Sequence, residues 1–440
     1  MSYLSRSQVS SGTNGRKINT ISTWFKKQSY SGSQEKTIFE ARVDDNNRNE
    51  IKFFNDTIQY LAKLSGSIEA IVRTHRVFRD VGSWYHLVIQ TDTTQSTAAD
   101  RVKIYINGIQ ETSMAVTSYP SQDYQGRFCD NGTTFMVGRN NSVFSGYLAE
   151  TVFVDGAIHA PTVFGETDST TVVWKPKTTY SGITYGNNGF RLKYENAANM
   201  GLDSSGEGHN LTNSSVPTNP KSDDTPSNNF CTWNKNAAHT GLTVYNGALS
   251  IENSNNAAWR TALGTLAVSK GKWYWEFKNG ATGDSPYIII GAARTDTLYN
   301  SYIFTQNQGP WRSTTGWGMQ NNGTKIHNNS SSSYGSSFAS HSVVGCKLDL
   351  DNGTIGFIQG SDLGNAYTGI TTGDNIFFTP MASIGEADNG TDVQLHLNTG
   401  NSGNYDDSYT NVDANGIEKF AYSVPSGYYA LCTRNIQSLG

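Results

Sequence analysis

Short runs of alternating apolar and polar residues, separated by turn residues, recur along the whole chain. In Val102–Ile106 every second residue is apolar, which predicts a strand with one buried face. The aromatic and β-branched segment Trp84–Gln90 precedes it, and Asn107-Gly108 follows with the residue types of a type I′ turn. Helical periodicity is nearly absent from the sequence. The pattern therefore predicts an all-β protein built of antiparallel hairpins.

One segment departs from this pattern. Residues 182–229 are rich in Gly, Ser, Asn and Pro and offer little apolar surface, which predicts a connector. Strand patterns resume at Phe230. The chain has 440 residues, enough for a separate core in each half. We therefore predict two antiparallel β-sandwich, jelly-roll-like domains over residues 1–181 and 230–440, joined by residues 182–229.

Composition narrows the class of protein. Charged residues make up 16% of the chain, against about 25% in average proteins, whereas aromatic residues reach 12%. Such a chain has enough apolar surface to form a buried core, so its composition is not that of a disordered protein. The net charge of −4 provides no electrostatic footprint for nucleic acid or an anionic membrane. The composition is more typical of secreted or particle-borne β proteins than of cytosolic enzymes.

Cysteine usage and apolar runs add further expectations. Cys129, Cys231, Cys346 and Cys432 are widely spaced and form no CxxC motif, so we predict buried free thiols rather than a zinc site or a disulfide framework. We find neither an apolar signal segment within Met1–Lys17 nor a run of 18 apolar residues, and expect no membrane insertion. Assembly in a host cytoplasm and release by lysis, within a virus particle, would suit such a chain.

The first half resembles concanavalin A-like jelly rolls of the laminin-G type. The resemblance rests on three segments in order, Ile18–Lys27, Ile38–Ala62 and Phe135–Ile158, together with the hairpin described above. It implies a lectin-like sandwich.

The second half resembles a SPRY domain. The segments that carry this resemblance are Lys270–Arg294, Gly316–Asn329, Val343–Gly364, Ile376–Gly385 and Val393–Gly400. The joined arrangement resembles virion proteins of tailed bacteriophages, particularly marine ones. That resemblance implies a location on the virion surface, partners among tail or capsid proteins, and assembly as a homo-oligomer. The sequence contains no coiled-coil heptads that would drive such an assembly.

Catalytic motifs are missing from the sequence, so we predict that the protein is not an enzyme. Retaining glucanases of this fold carry Glu-x-Asp-x-Glu on one strand, and the nearest segment here is Glu386-Ala387-Asp388, followed by an Asn-Gly turn. Asp349 and Asp351 share a strand face but also precede a turn. The sequence has no G-x-S-x-G elbow and no P-loop. His86 is interpreted as a structural histidine.

A calcium site is one interpretation of the segment Val43–Glu50. Asp44, Asp45, Asn46 and Asn47 place several oxygen ligands in one turn, as hard cations prefer. An ordinary Asx-rich hairpin turn is the alternative that we favour. The sequence requires no cofactor.

Three loops combine aromatic and polar side chains suited to sugar recognition. They are Ser118–Phe128, Tyr299–Trp317 and His327–Phe338, and Trp311, which follows Gly-Pro, is expected to protrude. The candidate carbohydrate-binding residues are Tyr119, Tyr124, Arg127, Tyr302, Trp311, Arg312, Trp317 and Tyr334.

Three functions are weighed at this point. The favoured one is a phage tail fibre or adhesin component that binds host cell-surface polysaccharide. The second is a capsid-surface decoration protein that contacts other virion proteins. The third, a polysaccharide depolymerase, is disfavoured because the carboxylate array is missing.

Overall fold

A computed structural model describes most of the chain as two compact units, Met1–Lys221 and Ser222–Gly440. The described residues are 3–12, 14–28, 35–138, 144–215, 220–254, 258–280, 286–295, 308–386, 392–401, 408–417 and 419–439. The regular secondary structure of both units is almost entirely antiparallel β-strand, which confirms the predicted fold class.

The first unit contains sixteen strands among its described residues. They are β1 (Tyr3–Ser7), β2 (Ile18–Lys27), β3 (Lys36–Asp44), β4 (Asn47–Phe54), β5 (Thr57–Leu64), β6 (Ser67–Val77), β7 (Tyr85–Asp92), β8 (Val102–Ile106), β9 (Ile109–Gln110), β10 (Met114–Ser118), β11 (Thr134–Val137), β12 (Gly146–Asp155), β13 (Gly165–Thr167), β14 (Trp174–Pro176), β15 (Phe190–Leu192) and β16 (Thr212–Ser214). Short 3-10 helices occupy Ala98–Asp100 and Pro161–Val163.

These strands form two packed sheets and a separate hairpin. The order is β10-β6-β5-β4-β3-β11-β1-β16 in the larger sheet and β15-β12-β2-β7-β8-β9 in the smaller, and β13 pairs with β14. Alternate side chains of the two sheets, such as Phe39, Ile51 and Ile89, fill the core between them. The predicted hairpin is confirmed: β7 and β8 pair antiparallel, and Asn107 and Gly108 have φ angles of 49° and 82°.

The outer face of the smaller sheet is covered by residues 157–185, here called the strap. Phe164 and Tyr185 of the strap pack on Val88, Val152 and Val154 in a small apolar cluster. The part of this face around Val88, Val152 and Val154 is therefore buried.

The prediction of a separate connector over residues 182–229 is wrong for most of its length. β15 pairs with β12, β16 pairs with β1, and Phe190 and Leu211 are buried in the first core. The boundary between the units falls after Lys221. A few well-placed apolar side chains in a polar segment were sufficient to attach it to the sandwich, because each fills space that the two sheets leave open.

The second unit contains fifteen strands and one α-helix among its described residues. They are β17 (Trp233–Ala238), β18 (Thr243–Tyr245), β19 (Ser250–Asn253), β20 (Arg260–Gly264), β21 (Lys272–Asn279), β22 (Pro286–Arg294), β23 (Gly316–Gln320), β24 (Thr324–His327), β25 (Ser330–Ser333), β26 (Val343–Asp349), β27 (Thr354–Gln359), β28 (Ser361–Tyr367), β29 (Phe378–Glu386), β30 (Val393–Asn398), β31 (Tyr429–Ala430) and α1 (Thr433–Leu439). A 3-10 turn occupies Pro310–Arg312.

The second unit is also a two-sheet sandwich. One sheet has the order β17-β20-β29-β22-β23-β24-β25 and the other β18-β19-β30-β21-β26-β27-β28, and β31 runs parallel to β21. Trp233, Trp273 and Trp275 are fully buried between the sheets. All four cysteines of the protein are buried and unpaired, as predicted.

A buried carboxylate attaches the C-terminal segment to this sandwich. Glu276 of β21 is fully buried and accepts hydrogen bonds of 2.9 Å each from the backbone N–H groups of Ala421 and Tyr422. Tyr274 and Asn398 donate to the same carboxylate, at 2.9 and 3.1 Å. Burial raises the pKa of Glu276, whereas these four hydrogen bonds lower it.

Candidate functional site

The first predicted binding loop, Ser118–Phe128, contributes mainly packing residues. Tyr119 is half-buried against the first core, and Tyr124 is only 8% exposed. Burial raises the pKa of Tyr124 to about 12, and its hydroxyl has no hydrogen-bond partner among the described residues. A ring in this position does not offer a face for a sugar to stack on.

Arg127 attaches this loop to the larger sheet. Its guanidinium donates to Asp130 at 2.5 Å and to Oδ1 of Asn47 at 3.1 Å, and its backbone N–H donates to Oδ1 of Asn49 at 2.7 Å. Two residues predicted for different sites, Arg127 and Asn47, are thus in direct contact. Arg127 is half-buried and its donors are directed into the protein.

The candidate calcium residues form a hydrogen-bonded turn. Asp44 accepts hydrogen bonds from the backbone N–H of Asn46 at 2.8 Å and from Nδ2 of Asn47 at 3.0 Å, and Asp45 pairs with Arg42 at 2.7 Å. This geometry is that of an Asx turn, in which the Asp44 carboxylate accepts a hydrogen bond from the backbone N–H two residues further on. In the described parts of the chain, no group of three or more His, Cys, Asp or Glu is arranged to hold a metal ion. Calcium binding stays a prediction.

The prediction that Trp311 protrudes is wrong. It lies in the 3-10 turn at Pro310–Arg312, but its side chain is only 3% exposed. The indole N–H donates to Oγ of Ser383 at 3.1 Å, and Ser383 is bonded in turn to Thr261 at 2.6 Å. The ring packs on the outer face of the β20-β29-β22 sheet. Apolar side chains such as Ile289 and Met381 contact its body there, and Ser383 accepts from its N–H.

Two further aromatic residues, which the sequence did not single out, extend this site to the surface. Trp259 packs edge-on against Trp311 at 5.5 Å between ring centroids and lies 5.6 Å from Tyr287, which is 43% exposed. We call Trp259, Tyr287 and Trp311, with the exposed Arg312, the aromatic cluster. The Arg312 guanidinium lies 5.0 Å from the Trp311 ring centre, within reach of a cation–π contact.

Strand register brings these rings together. Arg260 pairs with Ile384, which places Trp259 beside Gly385, and Tyr287 pairs with Gly385 from the opposite strand. The glycine has no side chain, so the two rings can approach across β29. This could be anticipated only by knowing that β20, β29 and β22 are neighbours.

The remaining candidate residues of the second unit have structural partners. Trp317 is 7% exposed and stacks on His327 at 4.9 Å, and the Tyr334 hydroxyl donates to the carbonyl of Gly364 at 2.7 Å. Tyr334 is half-buried against the second core and directly follows strand β25. Tyr302 lies outside the described residues, as do Ala387 and Asp388.

A serine–histidine contact in the first unit has the wrong polarity for nucleophilic catalysis. Oγ of Ser22 and Nε2 of His86 are 2.8 Å apart, and the indole N–H of Trp174 donates to Nδ1 of His86 at 3.0 Å. An indole nitrogen is a donor only, so Nδ1 accepts and the proton of the neutral ring resides on Nε2. His86 therefore donates to Ser22 and is not available to remove its proton. This supports the interpretation of His86 as structural.

Two glutamates that the sequence reasoning missed lie side by side on the outer face of the larger sheet. Glu40 of β3 and Glu50 of β4 are register partners, and both are fully buried. Arg48 and Lys52 lie 3.2 and 3.1 Å from the Glu50 carboxylate, and Arg42 lies 3.7 Å from that of Glu40. Both carboxylates are thus enclosed among three basic side chains and shielded from solvent, whereas glycoside hydrolysis requires two carboxyl groups that face the sugar.

Two family models match the chain, one in each unit. The model described as the concanavalin A-like lectin/glucanases superfamily matches residues 4–164, and the SPRY domain model matches residues 272–397. The chain therefore contains a concanavalin A-like domain and a SPRY domain, which confirms both domain resemblances.

Among curated proteins, the chain is similar to the ATP-dependent RNA helicase DDX1 of Xenopus laevis. The two are 28% identical over 138 residues, which is 31% of this chain and 17% of the helicase. The chain thus spans about a sixth of that relative's length, and the similarity is confined to the SPRY region.

Solved structures give low overall similarity scores. The SPRY domain of human HERC1 has a TM-score of 0.30 and 17% identity, covering 38% of this chain and 96% of that domain. Domain 4 of AbnA, an extracellular arabinanase of Geobacillus stearothermophilus solved with arabinotriose, has a TM-score of 0.26 and 20% identity, covering 34% of this chain and 64% of the other.

Both domains are of binding types that are usually not enzymes. Their combination indicates a binding, adhesin-like role, and the lectin-like domain is compatible with carbohydrate binding. Within the described ranges, no helix has both the length and the apolar character that crossing a membrane requires.

Proposed function

We propose that this protein is an adhesin on the surface of a tailed-bacteriophage particle, where it binds host cell-surface polysaccharide without cleaving it. The aromatic cluster is the observation that carries the proposal. Tyr287 offers a partly exposed ring, Trp259 lies beside it, and Arg312 supplies hydrogen-bond donors close by. Sugars bind through apolar faces on aromatic rings together with a few directed polar groups.

The surroundings of the cluster make it a rigid platform. Trp311 lies beneath Trp259 and is fixed by Ser383, so Trp259 is supported by a buried residue and not by a mobile loop. A preorganised surface loses little conformational entropy when it binds a ligand. The virion location is supported by the order of the two domains, which resembles phage proteins, and by the low charge content of the chain.

Binding is tested with the full chain against a panel of purified bacterial capsular and O-antigen polysaccharides. We expect Tyr287→Ala to weaken binding by roughly fivefold or more, since a lost ring contact is worth about 1 kcal/mol or more. The matched control is Phe377→Ala. Phe377 is 41% exposed but lies at the opposite end of β29, and it should leave binding unchanged. Equal binding by both variants would remove the aromatic cluster from the proposal.

The location is tested by immunogold labelling of intact particles with an antibody to this chain. Gold on the tail tip or fibres is the expected result. Absence of gold from particles would overturn the virion assignment.

Capsid decoration is the second candidate. Val43 and Ile68 are 59% and 58% exposed, and each lies close to one of two hairpin turns that are hydrogen-bonded to each other. Exposed apolar side chains at adjoining turns suit a protein partner. Gold spread over the capsid would favour this function.

A further inference from the structure

An open cavity of about 400 Å³ lies in the first unit, whereas the aromatic cluster belongs to the second. It is formed by residues 193–204, between β15 and β16. These residues follow the concanavalin A-like match and precede the SPRY match, so neither family model covers them. Its volume falls within the range of small-molecule sites.

The wall of the cavity is held in a fixed conformation. Tyr194 has a φ of 58°, which is rare for a bulky residue, and its hydroxyl donates to Oγ1 of Thr151 at 2.8 Å. On the far side, the backbone N–H of Ser204 donates to the carbonyl of Arg191 at 2.8 Å. Both walls are therefore tied to the sheet, and the cavity is present before any ligand binds.

Two asparagines supply directed donors at the cavity. Oδ1 of Asn196 accepts the backbone N–H of Ala198 at 3.0 Å, and Oδ1 of Asn199 accepts that of Gly201 at 3.2 Å. These bonds orient both amides. In the described part of the chain nothing accepts from their Nδ2 groups, so four N–H donors are available to a ligand.

The charge and apolar surface of the cavity narrow the ligand class. Lys193 and Glu195 lie 3.8 Å apart and balance each other, so the site has no net charge. Leu202 is 41% exposed at the cavity and offers an apolar face, while the Ser204 hydroxyl can both donate and accept. Amide donors, a hydroxyl and a small apolar face together match a neutral ligand rich in hydroxyl groups.

We propose that this cavity binds one or two residues of a neutral saccharide, as a second carbohydrate site. The inference rests on the proposed function only in taking the ligand to be part of a glycan. The aromatic cluster belongs to the second unit and the cavity to the first, so the two sites can be tested separately.

The probes are the methyl glycosides of glucose, galactose, mannose and N-acetylglucosamine, measured with the full chain by saturation-transfer NMR and by titration. We expect at least one of them to bind. The double variant Asn196→Ser/Asn199→Ser should weaken that binding by at least tenfold, because serine can keep the turn but not the amide donors. Ala197→Trp should also abolish binding, by filling the cavity without altering these hydrogen bonds.

Two controls separate this proposal from the proposed function. The first control is Asn213→Ser. Oδ1 of Asn213 also accepts a hydrogen bond from the Gly201 N–H, at 3.1 Å, but Asn213 does not line the cavity. This variant should bind the glycoside like the wild type. Tyr287→Ala should also retain binding of the glycoside. If no glycoside binds, or if the double variant and Ala197→Trp bind normally, the cavity proposal is overturned, whatever the polysaccharide panel shows.

Discussion

The indole nitrogen of Trp174 donates a hydrogen bond to Nδ1 of His86 at 3.0 Å and so joins the strap to the smaller sheet of the first unit. The imidazole is stacked between Trp24 at 4.7 Å and Trp174 at 6.0 Å. Gly108, in the predicted type I′ turn, leaves room for the Trp174 ring, since a Cβ there would lie 2.9 Å from it. A buried neutral histidine is thus part of the packing of this face.

The stability of the first unit should depend on the protonation of His86. Burial lowers the pKa of His86 to about 3 from its ordinary value of 6.5. The unfolded chain takes up a proton below about pH 6.5 and the folded chain does not until about pH 3, so the free energy of unfolding falls as the pH is lowered through this window. The slope should approach about 1.4 kcal/mol per pH unit.

The measurement is amide hydrogen exchange of β2 and β7 in the full chain, corrected for the pH dependence of intrinsic exchange. His86→Gln should flatten the slope, whereas His75→Gln, at an exposed position, should retain it. Identical slopes in all three proteins would contradict the assignment.

Replacing Trp311 should destabilise the second unit before it affects any ligand. We expect Trp311→Ala to lower the free energy of unfolding by about 3–5 kcal/mol, because it leaves a cavity beneath Trp259. Trp311→Phe should lower the free energy of unfolding by a smaller amount. The neighbouring Arg312 is exposed, and Arg312→Ala should change stability by less than about 0.5 kcal/mol. Denaturant titration of the full chain measures all three, and equal stability of Trp311→Ala and the wild type would show that the ring is not a core residue.

Lys27 and Asp56 form a buried ion pair, and the effects of substituting them on the free energy of unfolding should be strongly coupled. The two charges are 2.6 Å apart, with side chains 5% and 3% exposed, and Lys27 also donates to the carbonyl of Phe78 at 3.0 Å. Burial lowers the pKa of Lys27. Lys27→Met should lower the free energy of unfolding by about 3–5 kcal/mol, because the buried Asp56 carboxylate then keeps only the exposed Arg79, 4.0 Å away, as a cation. The double variant Lys27→Met/Asp56→Asn should recover much of that loss.

The control for this pair is Lys103→Met. Lys103 and Asp100 form a solvent-exposed pair at 2.9 Å, and its loss should cost no more than about 1 kcal/mol. Additive effects of the Lys27 and Asp56 substitutions in denaturant titrations would show that the pair is not coupled.

The adjacent glutamates Glu40 and Glu50 should not hydrolyse polysaccharide. Both carboxylates are fully buried beside basic side chains, so neither can reach the glycosidic oxygen of a polysaccharide as a general acid. We expect no release of reducing sugar from any polysaccharide that the protein binds. Release that Glu50→Gln abolishes would identify a depolymerase instead.

Calcium should have little effect on the first unit. The carboxylates of Asp44 and Asp45 already accept hydrogen bonds within their own segment. We expect millimolar calcium to leave the melting temperature unchanged. A rise that Asp44→Asn removes would establish a site at this turn.

The pairing of Glu40 with Glu50 could not have been predicted from hairpin geometry alone. Counting outward from the turn pair Asp44–Asn47 would place Glu40 opposite Ile51, but an irregularity between Arg42 and Asp44 shifts the register by one residue and brings the two glutamates together. The aromatic cluster could not be found by counting either, because Trp259, Tyr287 and Trp311 come from three distant parts of the chain.

The sequence by itself determined the features that depend on local chemistry. Alternation in Val102–Ile106 specified a half-buried strand, and Asn107-Gly108 specified a turn with positive φ angles, since both follow from the conformational preferences of neighbouring residues. The SPRY and concanavalin A-like resemblances followed from many such segments in order.

Only the tertiary structure decided which side chains are exposed. Trp311 lies in a 3-10 turn that begins at Pro310, but the direction of its ring depends on Ser383, which lies 72 residues away in the chain. Phe190 and Leu211 likewise joined the first core although the segment around them is polar. Burial is set by contacts between strands that are remote in sequence, and the hydrophobic pattern of a single segment does not specify those partners.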